Sequence, residues 1–299
     1  MKVERPKKDI AEIFGYASND TTDICRNFWS SGSCPFTEKS CIKHNHDNSI
    51  IYGTCSVTTK FGDCIICPNR LYANKFKTIK DVSNDAFGDL PFLMYNEYIN
   101  LKDHLDDYVV ALGMYSGHEI RLRNLHSMDW ILAHIKNMEL LEYVGIEVQS
   151  IDITNNYRDN WYAYKNISEN IKIPQSEHNM NWANVYKRLM PQIIQKSRLY
   201  SKSELVHSGL YFIVPDIVYK KFENIIGEDI PLTNKKERDV ITVHTYKLGE
   251  NVPEGKIRDL ISDRKIRFKL DDFAKRFILG LKLPDASELD STIQEALGL

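Results

Sequence analysis

The clearest segment in the apolar–polar pattern is residues 140–149, Leu-Leu-Glu-Tyr-Val-Gly-Ile-Glu-Val-Gln. Strand side chains alternate between faces, so Glu147 and Gln149 share one face while Ile146 and Val148 take the other. Further strands are predicted at 210–214, stopped by Pro215, and at 240–246 and 264–270. Residues 119–123 alternate polar and apolar and read as a half-buried strand. Helices are predicted over 91–106, 182–197, 218–226, 271–279 and 287–297, with a short amphipathic one over 9–16 ended by Gly15. Residues 108–114 either continue the helix before them or start a strand. Residues 129–141 read as a strand end followed by a helix, and 155–164 as a polar, aromatic loop. Strands and helices alternate through the second part of the chain. The class is therefore α/β or α+β, with short connections favouring a mixed central sheet.

Composition narrows this picture. The 299 residues suffice for one large domain or two. The division read from the sequence is an N-terminal segment, 1–80, and a larger domain, 81–299. No apolar run is long enough to span a membrane, and the start of the chain lacks the apolar core of a signal peptide. The expected location is cytoplasmic. The net charge is −2, which argues against a uniformly basic nucleic-acid coat. Its distribution is uneven, with 12 Lys+Arg against 8 Asp+Glu in residues 1–80 and 27 against 33 in the remainder. A basic front part before an acidic part is compatible with a nuclease.

All six cysteines lie between Cys25 and Cys67. In a reducing compartment such clustering favours a metal over disulfides. Cys34, Cys41, Cys55 and Cys67 are spaced Cys-x6-Cys-x13-Cys-x11-Cys, and loops of this size can close around one tetrahedral ion. Cys64 pairs with Cys67 as Cys-x2-Cys, and His44 and His46 are alternative ligands. The bland alternative is a set of buried structural thiols.

Asp129 precedes an apolar run and is separated from Glu147 by 17 residues, with Gln149 beyond. Two carboxylates converging on one spot form a hard-oxygen site suited to Mg²⁺. Taken bare, the pattern is weak. No Gly-rich phosphate loop, Gly-x-Ser-x-Gly or His-Glu-x-x-His competes with it. Downstream, Lys187, Arg188, Gln192 and Lys196 lie on or near one helix face. Such a face is either solvated or in contact with phosphates. Asn155 and Arg158 sit in the polar, aromatic stretch, which suits base edges equally well as plain surface.

Four patches, in order, resemble the NotI-type restriction endonucleases, a branch of the PD-(D/E)xK nuclease superfamily. They are Ala11-Glu12-Ile13-Phe14-Gly15; Gly32-Ser33-Cys34-Pro35-Phe36 with Ser40-Cys41, Gly53-Thr54-Cys55 and Ile66-Cys67-Pro68-Asn69-Arg70; Glu119, Asp129-Trp130 and 146–152; and Asn184-Val185-Tyr186-Lys187-Arg188 with Gln192. The resemblance implies a PD-(D/E)xK core and Mg²⁺-dependent double-strand cleavage at a specific, palindromic DNA sequence. It assigns Asp129, Glu147 and Gln149 to catalysis, with Glu119 as a further acidic member. Asp129 and Glu147 would bind Mg²⁺, and Gln149 replaces the superfamily's usual lysine. Cys34, Cys41, Cys55 and Cys67 map onto the family's structural iron ligands, which zinc also fits. Cys64 falls where a family member carries tryptophan, and Cys25 lies outside the motif. The partners implied are double-stranded DNA, a second copy of the chain, and a cognate DNA methyltransferase that protects the host genome. The competing expectations are a catalytically inactive DNA-binding protein with a Cys₄ metal and a weakly specific nuclease.

Overall fold

The computed structural model describes residues 6–121, 127–154, 156–167, 172–279 and 285–298. The chain is mixed α/β, with helices packed around a mixed seven-stranded sheet. Among the described residues no helix is long and apolar enough to cross a membrane.

The N-terminal part builds a small sheet of β1 (Ile10–Ile13), β2 (Tyr16–Ala17), β3 (Thr54–Thr59) and β4 (Gly62–Ile65), ordered β2-β1-β3-β4. Residues 10–13 are therefore a strand, not the helix expected over 9–16. All four are buried, and a short fully buried strand has the same apolar run as a buried helical turn. Helix α1 (Asp23–Ser31) follows β2, and α2 (Ala73–Phe87) leads into the main sheet.

That sheet begins with β5 (Phe92–Met94), α3 (Tyr95–Leu101) and β6 (Asp107–Gly113). Residues 108–114 are thus a strand, and the predicted helix at 91–106 shrinks to α3 with a short 3₁₀ turn. Next come β7 (Trp130–Lys136) and β8 (Glu139–Val148), which pair antiparallel through the two-residue turn Asn137-Met138. Both turn residues have positive φ, 49° and 66°, the geometry of a type I′ hairpin. The helix expected within 129–141 is corrected to this hairpin. The strand expected over 119–123 is reduced to an isolated bridge at Arg121, and Leu122 and Arg123 lie outside the described residues.

A two-stranded ribbon, β9 (Ile153–Thr154) and β10 (Asn179–Met180), flanks α4 (Arg158–Lys165). The loop expected at 155–164 is largely that helix, because Asn160, Trp161 and Tyr164 bury one of its faces. Helix α5 (Trp182–Asn184) continues through a π turn, Val185–Leu189, into α6 (Met190–Tyr200). The chain ends with β11 (Leu210–Pro215), α7 (Asp216–Ile226), β12 (Val240–Leu248), β13 (Leu260–Lys269), α8 (Leu270–Leu279) and α9 (Ala286–Leu297), close to the predicted bounds.

The main sheet has the order β13-β12-β11-β8-β7-β6-β5. β8, β11 and β12 run parallel, and β7 and β13 turn back antiparallel. A parallel pair needs a crossover, and α6 lies between β8 and β11 in the chain. On one face Phe212, Val214 and Val243 pack beneath α6, α7 and α8. On the other, Trp130, Leu132, Val144, Ile146 and Tyr211 pack with Leu71, Ile79 and Val82 from the N-terminal side. Each such buried side chain contributes about 1.5–3 kcal/mol.

The expected division after residue 80 cuts through α2. Trp161, Tyr164 and Ile173 from beyond it join Ile10, Ile13 and Phe14 in one core. The N-terminal part is also tied to the segment just before β13 by a fully buried pair. Arg70 meets both oxygens of Glu12 at 3.1 Å, and donates 2.7 Å to the Arg258 carbonyl.

Candidate active site

Trp130 pairs with Ile146 across β7 and β8. The next residues outward are Asp129 and Glu147, so antiparallel register brings the two carboxylates side by side at the sheet's end. Asp129 Oδ2 accepts 2.9 Å from the Val148 N–H. Beyond the last rung of β8, Gln149 N–H donates 2.9 Å to the Ile213 carbonyl, which keeps its side chain on the Glu147 face.

Helix α6 runs over this face with a matching spacing. A Cβ on Gly145 would come within 2.1 Å of the Tyr200 ring, so only glycine admits the helix there. One rung on, the Lys196 Nζ stands 2.5 Å from Glu147 Oε2 and 2.9 Å from the Ser127 carbonyl. The next rung places Gln192 and Gln149 in the wall of one cleft. Steps of two along a strand cover about 6.6 Å and steps of four along a helix about 6 Å, so the three rungs stay in register.

The electrostatics follow from burial. Burial and then the charge of Asp129 push Glu147 up to about 8, while Lys196 and the Asp129 N–H act the other way. Burial also raises Asp129, offset in part by the Val148 N–H and Lys196, and the Glu119 charge adds to the rise. Glu119 itself is held 2.8 Å from the exposed Arg121. Among the described residues, Glu147 Oε1 and the Tyr200 hydroxyl are buried without hydrogen-bond partners. Two crowded carboxylates with a spare buried oxygen suit a divalent cation. No group of three or more His, Cys, Asp or Glu is assembled around one point among the described residues, so the acidic centre is a pair.

The cleft beyond the pair has a volume of about 100 Å³ and is lined by Gln149, Asp152, Asn181, Asn184, Arg188 and Gln192, among others. Asn184 donates 3.2 Å to Asp152. A second, larger groove of about 720 Å³ carries Lys7, Lys8, Lys60, Phe61 and Trp182. Lys60 stands 4.8 Å over the Phe61 ring and Lys221 5.8 Å over Trp182.

Of the residues singled out in the sequence, Asp129, Glu147 and Gln149 are brought together, with Glu119 near enough to act on Asp129. Arg188 and Gln192 line the cleft, and Lys187 is exposed on the π turn. Lys196 is only 6% exposed and turned onto Glu147, so it does not face outward with Lys187 as expected of a surface phosphate contact. Arg158 is exposed on α4 and lines neither groove. Asn155 lies outside the described residues. The sequence reading missed Gly145, Tyr200, Asp152 and Asn181. A glycine inside a strand was an available signal, since it marks a close approach by another element.

All six cysteines are buried and reduced. Burial pushes Cys67 up to about 12 and Cys55 well above its usual range, and each is raised further by the charges of Cys34 and Cys41. The Lys43 N–H lies 3.5 Å from Cys41 Sγ and the Asn69 amide 3.9 Å from Cys34 Sγ. Cys41, Cys55 and Cys67 are each raised by burial and by neighbouring thiols of the set, but among the described residues the four cysteines do not form a group placed to hold a metal ion. Cys25 and Cys64, raised by burial to about 11 and about 12, show no such influence from the other four.

No family model matches the chain, and no curated protein matches its sequence.

Proposed function

We propose that this chain is a metal-dependent DNA endonuclease of the PD-(D/E)xK type. The observation that carries the reading is the Asp129–Glu147 pair, with an unpartnered buried oxygen, two residues along the strand from Gln149 in the wall of a polar cleft. Asp129 and Glu147 would hold Mg²⁺. Bound there, it supplies a Lewis acid and lowers the pKa of a coordinated water. Gln149 orients the attacking water through its amide, but as a neutral group it cannot offset charge on the phosphate. Glu119 acts through Asp129. In-line attack on phosphorus with departure of the 3′ oxygen leaves a 5′-phosphate and a 3′-hydroxyl.

Arg188 and Gln192 are placed to meet DNA at the cleft, Lys187 and the groove lysines to meet backbone phosphates. A palindromic target is read by a two-fold dimer, which sets one site on each strand. Restriction-type cleavage of this kind calls for a methyltransferase that protects the host genome. Cys34, Cys41, Cys55 and Cys67 would hold a structural iron, with zinc as the alternative.

The test is digestion of plasmid DNA with Mg²⁺, compared with EDTA and with Glu147→Ala. Discrete bands from the native protein and at least about a 100-fold slower cut by Glu147→Ala are expected. Cutting by Glu147→Ala at the native rate removes the assignment, and a smear replaces a site-specific enzyme with a weakly specific one. A DNA-binding protein without catalysis draws support from the ammonium already seated on Glu147. Binding with no nicking in Mg²⁺ or Mn²⁺ would establish that reading instead.

A further inference from the structure

Position 149 holds a neutral amide where phosphodiester hydrolysis benefits from a cation, yet a cation does stand in the site. Lys196 reaches it from α6, 47 residues further along the chain. The residue is 6% exposed, and its ammonium lies 2.5 Å from Glu147 Oε2. A second contact, 2.9 Å to the Ser127 carbonyl, fixes it at the start of β7, beside Asp129. The ladder of Gly145 under Tyr200, Glu147 under Lys196 and Gln149 beside Gln192 determines where along the strand that ammonium falls.

A purely structural ion pair explains this arrangement poorly. Burying two charges gains little over apolar packing unless the remaining polar atoms are satisfied as well. Here Glu147 Oε1 and the Tyr200 hydroxyl are both left without partners.

On the nuclease reading above, we propose that Lys196 is the positioning cation of the site, filling from the helix the role of the lysine absent at position 149. Before a metal enters, it balances Glu147 and holds that carboxylate beside Asp129. Asp129 and Glu147, whose Oε1 is free, would hold a divalent ion, and Lys196 would then share Glu147 with it. Lys196 therefore competes with the metal for Glu147 while favouring the reaction once the metal is bound.

This opposition separates a positioning role from a structural one. Lys196→Met is tested in two assays on the full chain: the thermal shift produced by MgCl₂ without DNA, and plasmid cleavage at saturating Mg²⁺. Removing the competitor should lower the half-saturating Mg²⁺ concentration, by about threefold or more, as expected for loss of a neighbouring like charge. Cleavage should fall at least about 100-fold. The double variant Lys196→Met/Gln149→Lys, which returns a cation to the strand, should recover at least about tenfold of that loss. Where Lys196→Met does not fold, Lys196→Gln, which keeps a donor for Ser127, decides the same points. Cleavage within about threefold of native at saturating Mg²⁺, or weaker Mg²⁺ binding, overturns the proposal. A native protein that cuts no DNA in Mg²⁺ or Mn²⁺ fails the nuclease reading itself, and the Mg²⁺ shift of Lys196→Met still reports whether Lys196 competes at Glu147.

Discussion

Glu147 has two oxygens in different circumstances: Oε2 takes the Lys196 ammonium, and Oε1 takes nothing among the described residues. Asp129 stands beside it, so two buried carboxylates, both raised by burial, share one ammonium. Such a centre is a liability without a metal. Asp129→Asn keeps an oxygen for the Val148 N–H and removes the repulsion. It should abolish cleavage yet raise the melting temperature in EDTA, by roughly 2–4 °C for each kcal/mol relieved. Mg²⁺ at a hundredfold excess over its dissociation constant should stabilise the native protein by about 2.7 kcal/mol and leave the variant unmoved. A variant that melts lower in EDTA, or responds equally to Mg²⁺, would sink the paired-carboxylate account. Strand alternation made Glu147 and Gln149 legible as one face, and the register of a hairpin delivered Asp129 to it. Lys196 was legible only as part of a polar stripe with Arg188 and Gln192. Spacing says those residues share a helix face, but which way the face turns depends on what packs above it.

At the scale of elements, the site depends on how closely α6 approaches β8. Gly145 sets that distance, since any side chain there would enter the Tyr200 ring. Gly145→Ala should destabilise the fold by about 1–3 kcal/mol through overpacking. Because Lys196 and Gln192 ride on the same helix, cleavage should suffer more than urea stability does. Equal activity in the folded variant would show that the approach of α6 is not what positions the site. Long elements with strong periodicity, such as β8, α7 and β12, were readable with nearly the right bounds. Three features were not. β1 is too buried to alternate, and α4 hides its period behind polar residues that pack into another part of the molecule. The β7–β8 hairpin turns on Asn137-Met138, where the usual glycine cue is missing.

Across the whole molecule, the N-terminal segment is not an appendage. It closes the second face of the sheet through Leu71, Ile79 and Val82, and Glu12 and Arg70 anchor it to the region before β13. Its loops around the cysteines have little apolar core of their own, which is where a structural metal contributes most to folding. Cys55→Ala should lose the bound iron or zinc in elemental analysis and unfold at lower urea than the native protein. A full metal complement in that variant would refute the ligand set. The clustering of cysteines was plain in the sequence. The contribution of Trp161, Tyr164 and His178 to the same lobe was not, because contacts across more than a hundred residues leave no local pattern.

The π turn at Val185–Leu189 sits where α5 passes into α6, directly under the cleft. An ordinary helix gains about 100° of rotation with each added residue, so one insertion within α6 would swing Lys196 and Gln192 away from the strand. A π turn is the form a helix takes when it absorbs one extra residue, and it confines the misfit to a single turn. The chain thus carries its slack immediately ahead of its most register-sensitive helix. Length variation upstream, in the segment that feeds the cleft, can be taken up there without disturbing the alignment of Tyr200, Lys196 and Gln192. Residues upstream of the turn are in this way free to drift while the Asp129–Glu147 pair and Lys196 keep their places.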